Sequence, residues 1–236
     1  MTRAAPLRLL VHGSRGRMGA RVAALAREDS RFALAATLDL GDQLTLSDAA
    51  ALDVVMDFSS DAGARAAARL AAAHRAALLV GTTALSAETR LAVDNLSLAQ
   101  PVMIAPNTAL GVAVLAHLVA EAARLLGPEF DIDLVESHHR SKRDAPSGTA
   151  LRLAAALRER AGRELPSDCI HAIRAGDTIG EHVLEFAGPG ERIRISHSAT
   201  SRDLFALGAL RAAAWLAQQP PGRYTIEQSL GLGAER

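Results

Sequence analysis

The chain has 236 residues, of which 49% are hydrophobic and 22% are charged, with 26 basic and 26 acidic residues. This composition predicts one large or two modest globular domains and excludes a disordered chain. The formal net charge of zero argues against a general nucleic-acid binder or a binder of anionic membranes. The single cysteine, Cys169, excludes an intrachain disulfide, and no Cys/His grouping has structural-zinc spacing, so no metal is predicted. We find no apolar run of membrane-spanning length and no signal peptide, so a cytoplasmic protein is expected.

A glycine turn follows the first predicted strand, residues 7–11, and leads into a helical segment at residues 20–27. Its spacing, G-x-x-G-x-x-G, is a variant of the dinucleotide-binding fingerprint. Gly13 would make the tight turn, Gly16 would let the backbone approach a pyrophosphate, and Gly19 would let the helix pack on the strand. Asp39 lies twenty residues further on, at the end of the next predicted strand, where an acid that binds the adenosine ribose is expected. A turn residue beside Gly41 is the alternative interpretation of Asp39.

Strands and helices continue to alternate up to residue 108. Further strands are predicted at 53–58, 78–80 and 102–104, with helices at 62–74 and 86–98. This alternation predicts a Rossmann-type, doubly wound parallel sheet, trimmed by the brief segment at residues 39–53.

From residue 109 the pattern is that of an α+β domain on a mixed or antiparallel sheet. Helices are predicted at 109–126 and 147–161, with extended segments at 130–135, 169–174, 182–187 and 192–198. Gly188-Pro189-Gly190 predicts a hairpin turn between the last two segments. His182 and His197 lie in these segments and are interpreted as structural. A helix at 202–218 and a strand at 224–226 return to the first domain. We therefore expect a dinucleotide-binding domain at 1–108 and 201–236, and a substrate-binding and oligomerisation domain at 109–200.

Polar and charged residues cluster between the strand at 130–135 and the helix at 147–161, in the sequence E-S-H-H-R-S-K-R-D-A-P-S-G-T-A (136–150). His138, His139, Lys142 and Asp144 are groups that bind anions or move protons. Pro146-Ser147-Gly148-Thr149 predicts a capped helix start, whose free N–H groups and positive dipole end suit a carboxylate or phosphate. The alternative is a polar surface loop with ordinary capping.

This stretch closely resembles the E-x-H-H-x-x-K-x-D-A-P-S-G-T-A signature of the dihydrodipicolinate reductases, also called 4-hydroxy-tetrahydrodipicolinate reductases. The glycine turn, in the form V-x-G-x-x-G-R-M-G, resembles the amino-terminal signature of the same family. The resemblance implies reduction of 4-hydroxy-tetrahydrodipicolinate, a small dicarboxylate, by NAD(P)H on the diaminopimelate route to lysine. It also implies that His138 and Lys142 are catalytic and that His139, Gly148 and Thr149 bind the substrate carboxylates.

The resemblance also extends to the cofactor site. The G-T-T segment at 81–83 and the A-x-N segment at 105–107 match family elements that lie beside the nicotinamide and its ribose, although Ala84, Thr108 and Ala109 depart from the usual residues. The expected cofactor-binding residues are Gly13, Ser14, Arg15, Gly16, Arg17, Met18, Asp39, Gly81, Thr82, Thr83, Ala105, Pro106, Asn107 and Thr108.

The choice of cofactor is predicted to be NADH, with NADPH possible. An acid at position 39 repels a 2′-phosphate, and Leu40 stands where NADPH-using relatives commonly carry an arginine. The loop at Ser60-Asp61 adds no cation. Arg17 belongs to the motif beside the pyrophosphate, so Arg15 is the arginine expected to be free to reach the ribose and permit NADPH.

Three other classes of protein fit parts of the sequence. They are a different two-domain amino-acid dehydrogenase, of the aspartate type, a non-catalytic NADH-sensing module, and a structural partner protein. In the resembled family, sheets of the second domain pack between subunits, which implies a homotetramer for this chain. The alternation of apolar residues along the extended segments predicts one apolar sheet face for this contact. The second domain is short between residues 168 and 175 compared with longer members of the family.

Overall fold

Six parallel strands form the first sheet, and its central strands are buried on both faces because helices cover both sides. In the computed structural model, which describes residues 5–39, 41–42 and 51–232, the chain divides into two units, Met1–Ala109 with Asp203–Arg236, and Leu110–Arg202. Leu40 lies outside the described residues. Among the described residues, no helix combines the length and apolar character that crossing a bilayer would require.

The first unit confirms the Rossmann-type fold. Its strands are β1 (Leu7–His12), β2 (Phe32–Leu38), β3 (Val54–Asp57), β4 (Ala77–Val80), β5 (Pro101–Ile104) and β10 (Gly222–Tyr224). Its helices are α1 (Arg17–Glu28), α2 (Asp61–His74), α3 (Ala87–Leu96) and α6 (Asp203–Leu216), with a 3₁₀ turn at Gln228–Leu230. The strand order is β10-β5-β4-β3-β1-β2. This order brings the carboxyl ends of β1, β2, β3 and β4 to one edge of the sheet.

The second unit packs two helices on a mixed four-stranded sheet. Its elements are α4 (Leu110–Leu126), β6 (Asp131–His138), α5 (Gly148–Ala161), a 3₁₀ turn at Ser167–Cys169, β7 (Ile170–Arg174), β8 (Glu181–Gly188) and β9 (Glu191–Ser198). The order is β7-β6-β8-β9, with β7 parallel to β6 and the other pairs antiparallel.

The apolar face of this sheet is occupied within the unit, which corrects one expectation. Ile132, Leu134, Leu184 and Phe186 alternate along β6 and β8, and they pack with residues of α4 and α5 in one buried cluster. The face expected to contact other subunits is therefore covered by the chain's own helices. The opposite face, defined by Val135, Val183 and Ile173, mixes apolar with charged residues, and Ile173 is 47% exposed.

One predicted strand boundary differs from that in the structure, and the difference affects the candidate site. The strand predicted at 130–135 continues to His138, because β7 pairs with it as far as His138 and β8 as far as Ser137. His138 is therefore a strand residue and not a loop residue. The helix start at Ser147 is confirmed, since the Ser147 hydroxyl accepts a hydrogen bond from the Ala150 N–H.

Ala84 occupies a backbone conformation that favours glycine. Its φ is 55°, in the left-handed region, where a side chain costs roughly 1–2 kcal/mol. The glycine usual at this place in the resembled family is therefore explained by the turn that follows β4.

Candidate active site

The buried carboxylate of Glu136 is the centre of the signature cluster. Glu136 and His138 are two residues apart on β6, so their side chains share the helix-covered face. Arg174 donates to both carboxylate oxygens, at 2.9 and 2.6 Å, and the Ser147 N–H donates at 3.0 Å. A short hydrogen bond also joins the carboxylate to His138 Nδ1. Burial favours a raised Glu136 pKa, but the bonds from Arg174, His138 and Ser147 outweigh it and lower the pKa, so Glu136 is ionised.

The Nδ1 atom of His138 is hydrogen-bonded to Glu136, which leaves Nε2 as the available ring nitrogen. Burial lowers its pKa, although the Glu136 carboxylate opposes this effect, so the ring is neutral near pH 7. A neutral ring that donates Nδ1–H to Glu136 presents an unprotonated Nε2. A Cβ at position 180 would lie 3.0 Å from that Nε2, so Gly180 leaves space there.

His182, which the sequence indicated as structural, lies against His138. The two rings meet edge to face with centroids 5.2 Å apart, and His182 Nε2 is 3.3 Å from the Ser147 hydroxyl. Within the described part of the chain, its buried Nδ1 has no hydrogen-bond partner. Burial, with repulsion from His138, lowers the His182 pKa to about 4.

Glu136, His138 and His182 also have the spacing of a metal site, because each offers an atom within 4.8 Å of the others. The carboxylate, however, already faces the Arg174 guanidinium through both of its oxygens. A cation in this place would be repelled by that guanidinium, so the arrangement fits proton transfer better than metal binding.

Lys142 and Gly148, which are expected in the site that binds substrate, are both bonded to the Asp144 carboxylate. Lys142 Nζ donates to both oxygens of Asp144 at 2.8 Å, and the Gly148 N–H at the start of α5 also donates to this carboxylate. These bonds, led by that from Lys142, lower the Asp144 pKa. Ammonium and helix N-terminus together therefore form a carboxylate site. Thr149 is partly buried in the first turn of the same helix.

His139 points into different surroundings from His138. Its Nδ1 lies 2.8 Å from the Ser141 hydroxyl, and it lines a cavity of about 620 Å³ in the second unit. The other lining residues are Arg140, Ser141, Gly176, Asp177 and Arg202. The two arginines outnumber the one carboxylate in this lining, that of Asp177, so the cavity is suitable for an anion.

In the first unit, the glycine turn has the packing that its spacing predicted. Gly13 has a φ of 80°, and a Cβ there would lie 2.4 Å from the Phe58 carbonyl oxygen. A Cβ on Gly19 would lie 2.1 Å from the Gly13 oxygen, so α1 contacts the turn directly. Ser60, Ser86 and Ser147 cap other helices, whereas α1 begins after Gly16 without a side-chain cap.

This uncapped start changes which groups can bind a phosphate. The N–H groups of residues 13, 14, 15 and 16 bond within the protein, to Leu38, Asp39 and Gly13. Arg17 and Met18 form the first turn of α1, so their N–H groups are the donors that face outward from the helix start.

A second buried carboxylate, Asp57, organises the strand ends of the first unit. It accepts from the Thr82 hydroxyl at 2.5 Å and from the Ser59 hydroxyl at 2.5 Å, and it lies 3.0 Å from His12 Nδ1. The Thr82 hydroxyl also accepts from the Ser59 N–H at 2.8 Å, so it is committed within the protein. Gly81 is required by packing, since a Cβ there would lie 2.1 Å from the Phe58 ring.

The other residues expected to bind cofactor lie in two turns of the first unit. Thr83 and Pro106 are exposed, whereas Ala105 is buried and its N–H donates to Val80. The Asn107 side-chain oxygen accepts from the Ala109 N–H, and the buried Thr108 hydroxyl donates to the Phe205 carbonyl at 2.7 Å. The Thr108 side chain thus connects its turn to α6.

Arg15 is not free, in contrast to the sequence expectation. Its guanidinium donates to both oxygens of Asp42 at 3.0 Å, and its N–H donates to Asp39 at 2.7 Å. The Asp39 carboxylate is thus fixed at the end of β2, as an acid that binds ribose hydroxyls would have to be.

Comparison with known proteins accounts for nearly the whole chain. Residues 7–108 match the family model described as dihydrodipicolinate reductase, N-terminus, and residues 111–230 match dihydrodipicolinate reductase, C-terminus. A 4-hydroxy-tetrahydrodipicolinate reductase of Syntrophobacter fumaroxidans is 38% identical, with 96% of this chain and 99% of that protein covered. One from Myxococcus xanthus is 44% identical, with 78% and 74% covered.

Among solved structures, the fold is similar to that of a dipicolinate-bound dihydrodipicolinate reductase from Paenisporosarcina sp. TG-14. The TM-score is 0.75 at 22% sequence identity, and the match covers 93% of this chain and 97% of that one.

His182 should make the protein sensitive to acid. Its pKa in the folded protein, about 4, is lower than the ordinary 6.5, so between these values the unfolded chain binds the extra proton. Stability should therefore fall as the pH decreases from 6.5 to 4, by on the order of 3 kcal/mol. His182→Gln should show a shallower loss of unfolding free energy in urea titrations between pH 7 and 4. His171→Gln, on exposed β7, controls for replacing a histidine, and an unchanged pH slope in His182→Gln would contradict the assignment.

Proposed function

As this chain belongs to the dihydrodipicolinate reductase family, its reaction is the reduction of 4-hydroxy-tetrahydrodipicolinate, and we propose that His138 and Lys142 carry out the proton transfers. The supporting observation is the carboxylate of Asp144, held between the Lys142 ammonium and the start of α5. A substrate carboxylate can take its place. Family membership favours this reaction over the aspartate-type dehydrogenase, the NADH sensor and the structural partner protein.

The two carboxylates of the substrate would be bound in different ways. Lys142 with the Gly148 and Thr149 backbone would hold one, at the positive end of the α5 dipole. His139, with Arg140 and Arg202 in the neighbouring cavity, would hold the other. The dipicolinate-bound relative supports a dicarboxylate ligand for this fold.

Protons would move through Lys142 and His138. Lys142 donates a proton to the substrate, while His138 accepts or returns one at Nε2. Glu136 keeps the His138 ring in one orientation and stabilises the imidazolium that forms when Nε2 is protonated. Glu136 is in this respect a positioning residue, itself held by Arg174.

The use of a single lysine supports its role in proton transfer. Lys142 is the only lysine in the chain, and every other residue in the basic total of 26 is arginine. An arginine would bind a carboxylate at least as well, but its guanidinium does not give up a proton in proteins. A lysine at this one position therefore fits a proton donor better than a fixed charge.

The nicotinamide cofactor would be held by the first unit. The Gly13–Gly19 contact and the uncapped start of α1 leave the Arg17 and Met18 N–H groups for the pyrophosphate, and Asp39 would accept the ribose hydroxyls. When bound, this group supplies the hydride. The turns at 81–83 and 105–108 would approach its nicotinamide end.

We also propose a homotetramer that works in the cytoplasm. The single cysteine, Cys169, is a free thiol, as expected in a reducing compartment. Since α4 and α5 cover the apolar sheet face, the subunit contact is assigned to the opposite face, with Val135, Val183 and Ile173.

Substitutions of Lys142 should distinguish the effect of its positive charge from that of its ability to donate a proton. Lys142→Ala and His138→Ala should each lower kcat by about 10²–10⁴-fold. Lys142→Arg should lower kcat to a similar extent but raise KM for the substrate less than Lys142→Ala, because the positive charge remains. Steady-state kinetics with freshly generated substrate would measure this. Near-normal kcat in Lys142→Arg would show that Lys142 acts only as a charge.

Cofactor preference should favour NADH by on the order of 1–3 kcal/mol, the cost of one poorly compensated charged contact. Asp39→Asn should reduce this advantage, because it removes the repulsion of a 2′-phosphate. The ratio of kcat/KM for the two cofactors gives the answer, and an NADPH advantage in the unaltered protein would refute the preference.

Light scattering should show a tetramer of dihedral symmetry at micromolar concentration. Val135→Lys should shift it to smaller species, because a buried, unpaired charge at the contact is costly. Leu151→Lys on α5, at a residue already 53% exposed, should leave the assembly unchanged. A monomer in the unaltered protein would overturn the proposed assembly.

A further inference from the structure

A cavity of about 270 Å³ opens at the carboxyl ends of β1 and β2, around Asp39. It is lined by His12, Leu38, Asp39, Gly41 and Asp42 from the strand ends, and by Ala66, Arg69 and Leu70 from α2. Whole small-molecule sites span roughly 300–1,000 Å³. A volume slightly below that range fits one part of an extended cofactor, and Asp39 indicates that this part is the adenosine end.

The geometry of α2 places Arg69 in this cavity. Residues 66, 69 and 70 are spaced by three and four positions, so they share one face of the helix. The opposite face, with Ala64, Ala67, Ala68 and Ala71, is buried in the core of the unit. Because that apolar face anchors the helix, Arg69 is kept on the cavity side.

Arg69 is also the available cation at this place. Arg15 is engaged by Asp42, and Arg65, one turn earlier on α2, is engaged by Asp61 at 2.5 Å and by the Thr89 hydroxyl at 2.7 Å. In contrast, no carboxylate among residues 5–39, 41–42 and 51–232 forms an ion pair with Arg69. Its guanidinium is therefore not engaged by a carboxylate of the described residues, in a cavity that Asp39 also lines.

We propose that Arg69 binds the 2′-phosphate of NADPH, and thereby lets this chain use NADPH as its second cofactor in spite of Asp39. A guanidinium can donate two parallel hydrogen bonds to a phosphate and offset the repulsion from the acid. NADH lacks the phosphate and does not need this contact. The inference rests on the proposed nicotinamide-dependent function and assigns to α2 the role that the sequence offered to Arg15.

The test uses fragments of the cofactor, so that it does not depend on turnover. Calorimetric titration with adenosine 2′,5′-bisphosphate and with 5′-AMP would compare the unaltered protein, Arg69→Ala and Arg90→Ala. Arg90 is an exposed arginine on α3 that does not line the cavity. Arg69→Ala should weaken the bisphosphate about tenfold or more and change AMP affinity less than about twofold, since one charge-assisted contact to the phosphate is lost. Arg90→Ala should change neither.

Unchanged bisphosphate affinity in Arg69→Ala would overturn the proposal, as would an equal loss for both probes, which would place Arg69 on the adenine instead. In kinetic assays, Arg69→Ala should lower the NADPH-to-NADH ratio of kcat/KM by a similar factor. Failure of the proposed function itself would show differently, as no substrate-dependent oxidation of either cofactor by the unaltered protein.

Discussion

The second unit depends on one buried carboxylate, that of Glu136. It joins β6 to Arg174 on β7, to the N-terminus of α5 through the Ser147 N–H, and to the His138 ring. Each partner satisfies part of a charge that would otherwise be very costly to bury. The same bonds that make this burial possible also orient His138 and place the start of α5 beside Lys142. Structural stability and site geometry therefore depend on the same group.

The first unit uses a similar device at the end of its parallel sheet. Asp57 closes β3, and its carboxylate connects His12 at the end of β1 with Thr82 after β4. Ligands of open α/β sheets bind outside the carboxyl ends of the strands. These bonds connect the ends of β1, β3 and β4. The turns that follow these strands, including the glycine turn, are thereby held in position, which preorganises their exposed backbone groups.

The two kinds of basic residue are distributed very unevenly in this chain, with one lysine among 26 basic residues. Among the described residues, arginines form most of the ion pairs, as at Arg15, Arg65 and Arg174, while the one lysine is paired with Asp144 in the candidate site. A guanidinium suits permanent ion pairs with carboxylates because its planar fork can donate two bonds. An ammonium suits a step in which a proton leaves. This contrast supports the proposal that Lys142 donates a proton, which its ion pair with Asp144 alone would not suggest.

Features that depend on neighbouring residues could be predicted from the amino-acid sequence: the glycine turn, the Ser147 cap, the alternation of strands and helices, and the signature that contains His138 and Lys142. Contacts between side chains that are distant in sequence became visible only in the folded chain. Glu136 was visible in the signature, two positions before His138, but its partner Arg174 is 38 residues away and is reached through strand pairing. The β6–β8 register likewise places His182 opposite Glu136, and the packing of α2 brings Arg69 into the cavity that Asp39 also lines. Local patterns specify elements because hydrogen bonding and burial repeat along the chain. The pairing of distant side chains follows no such repeat, because it depends on strand register and helix rotation, which are set by the packing of the whole unit.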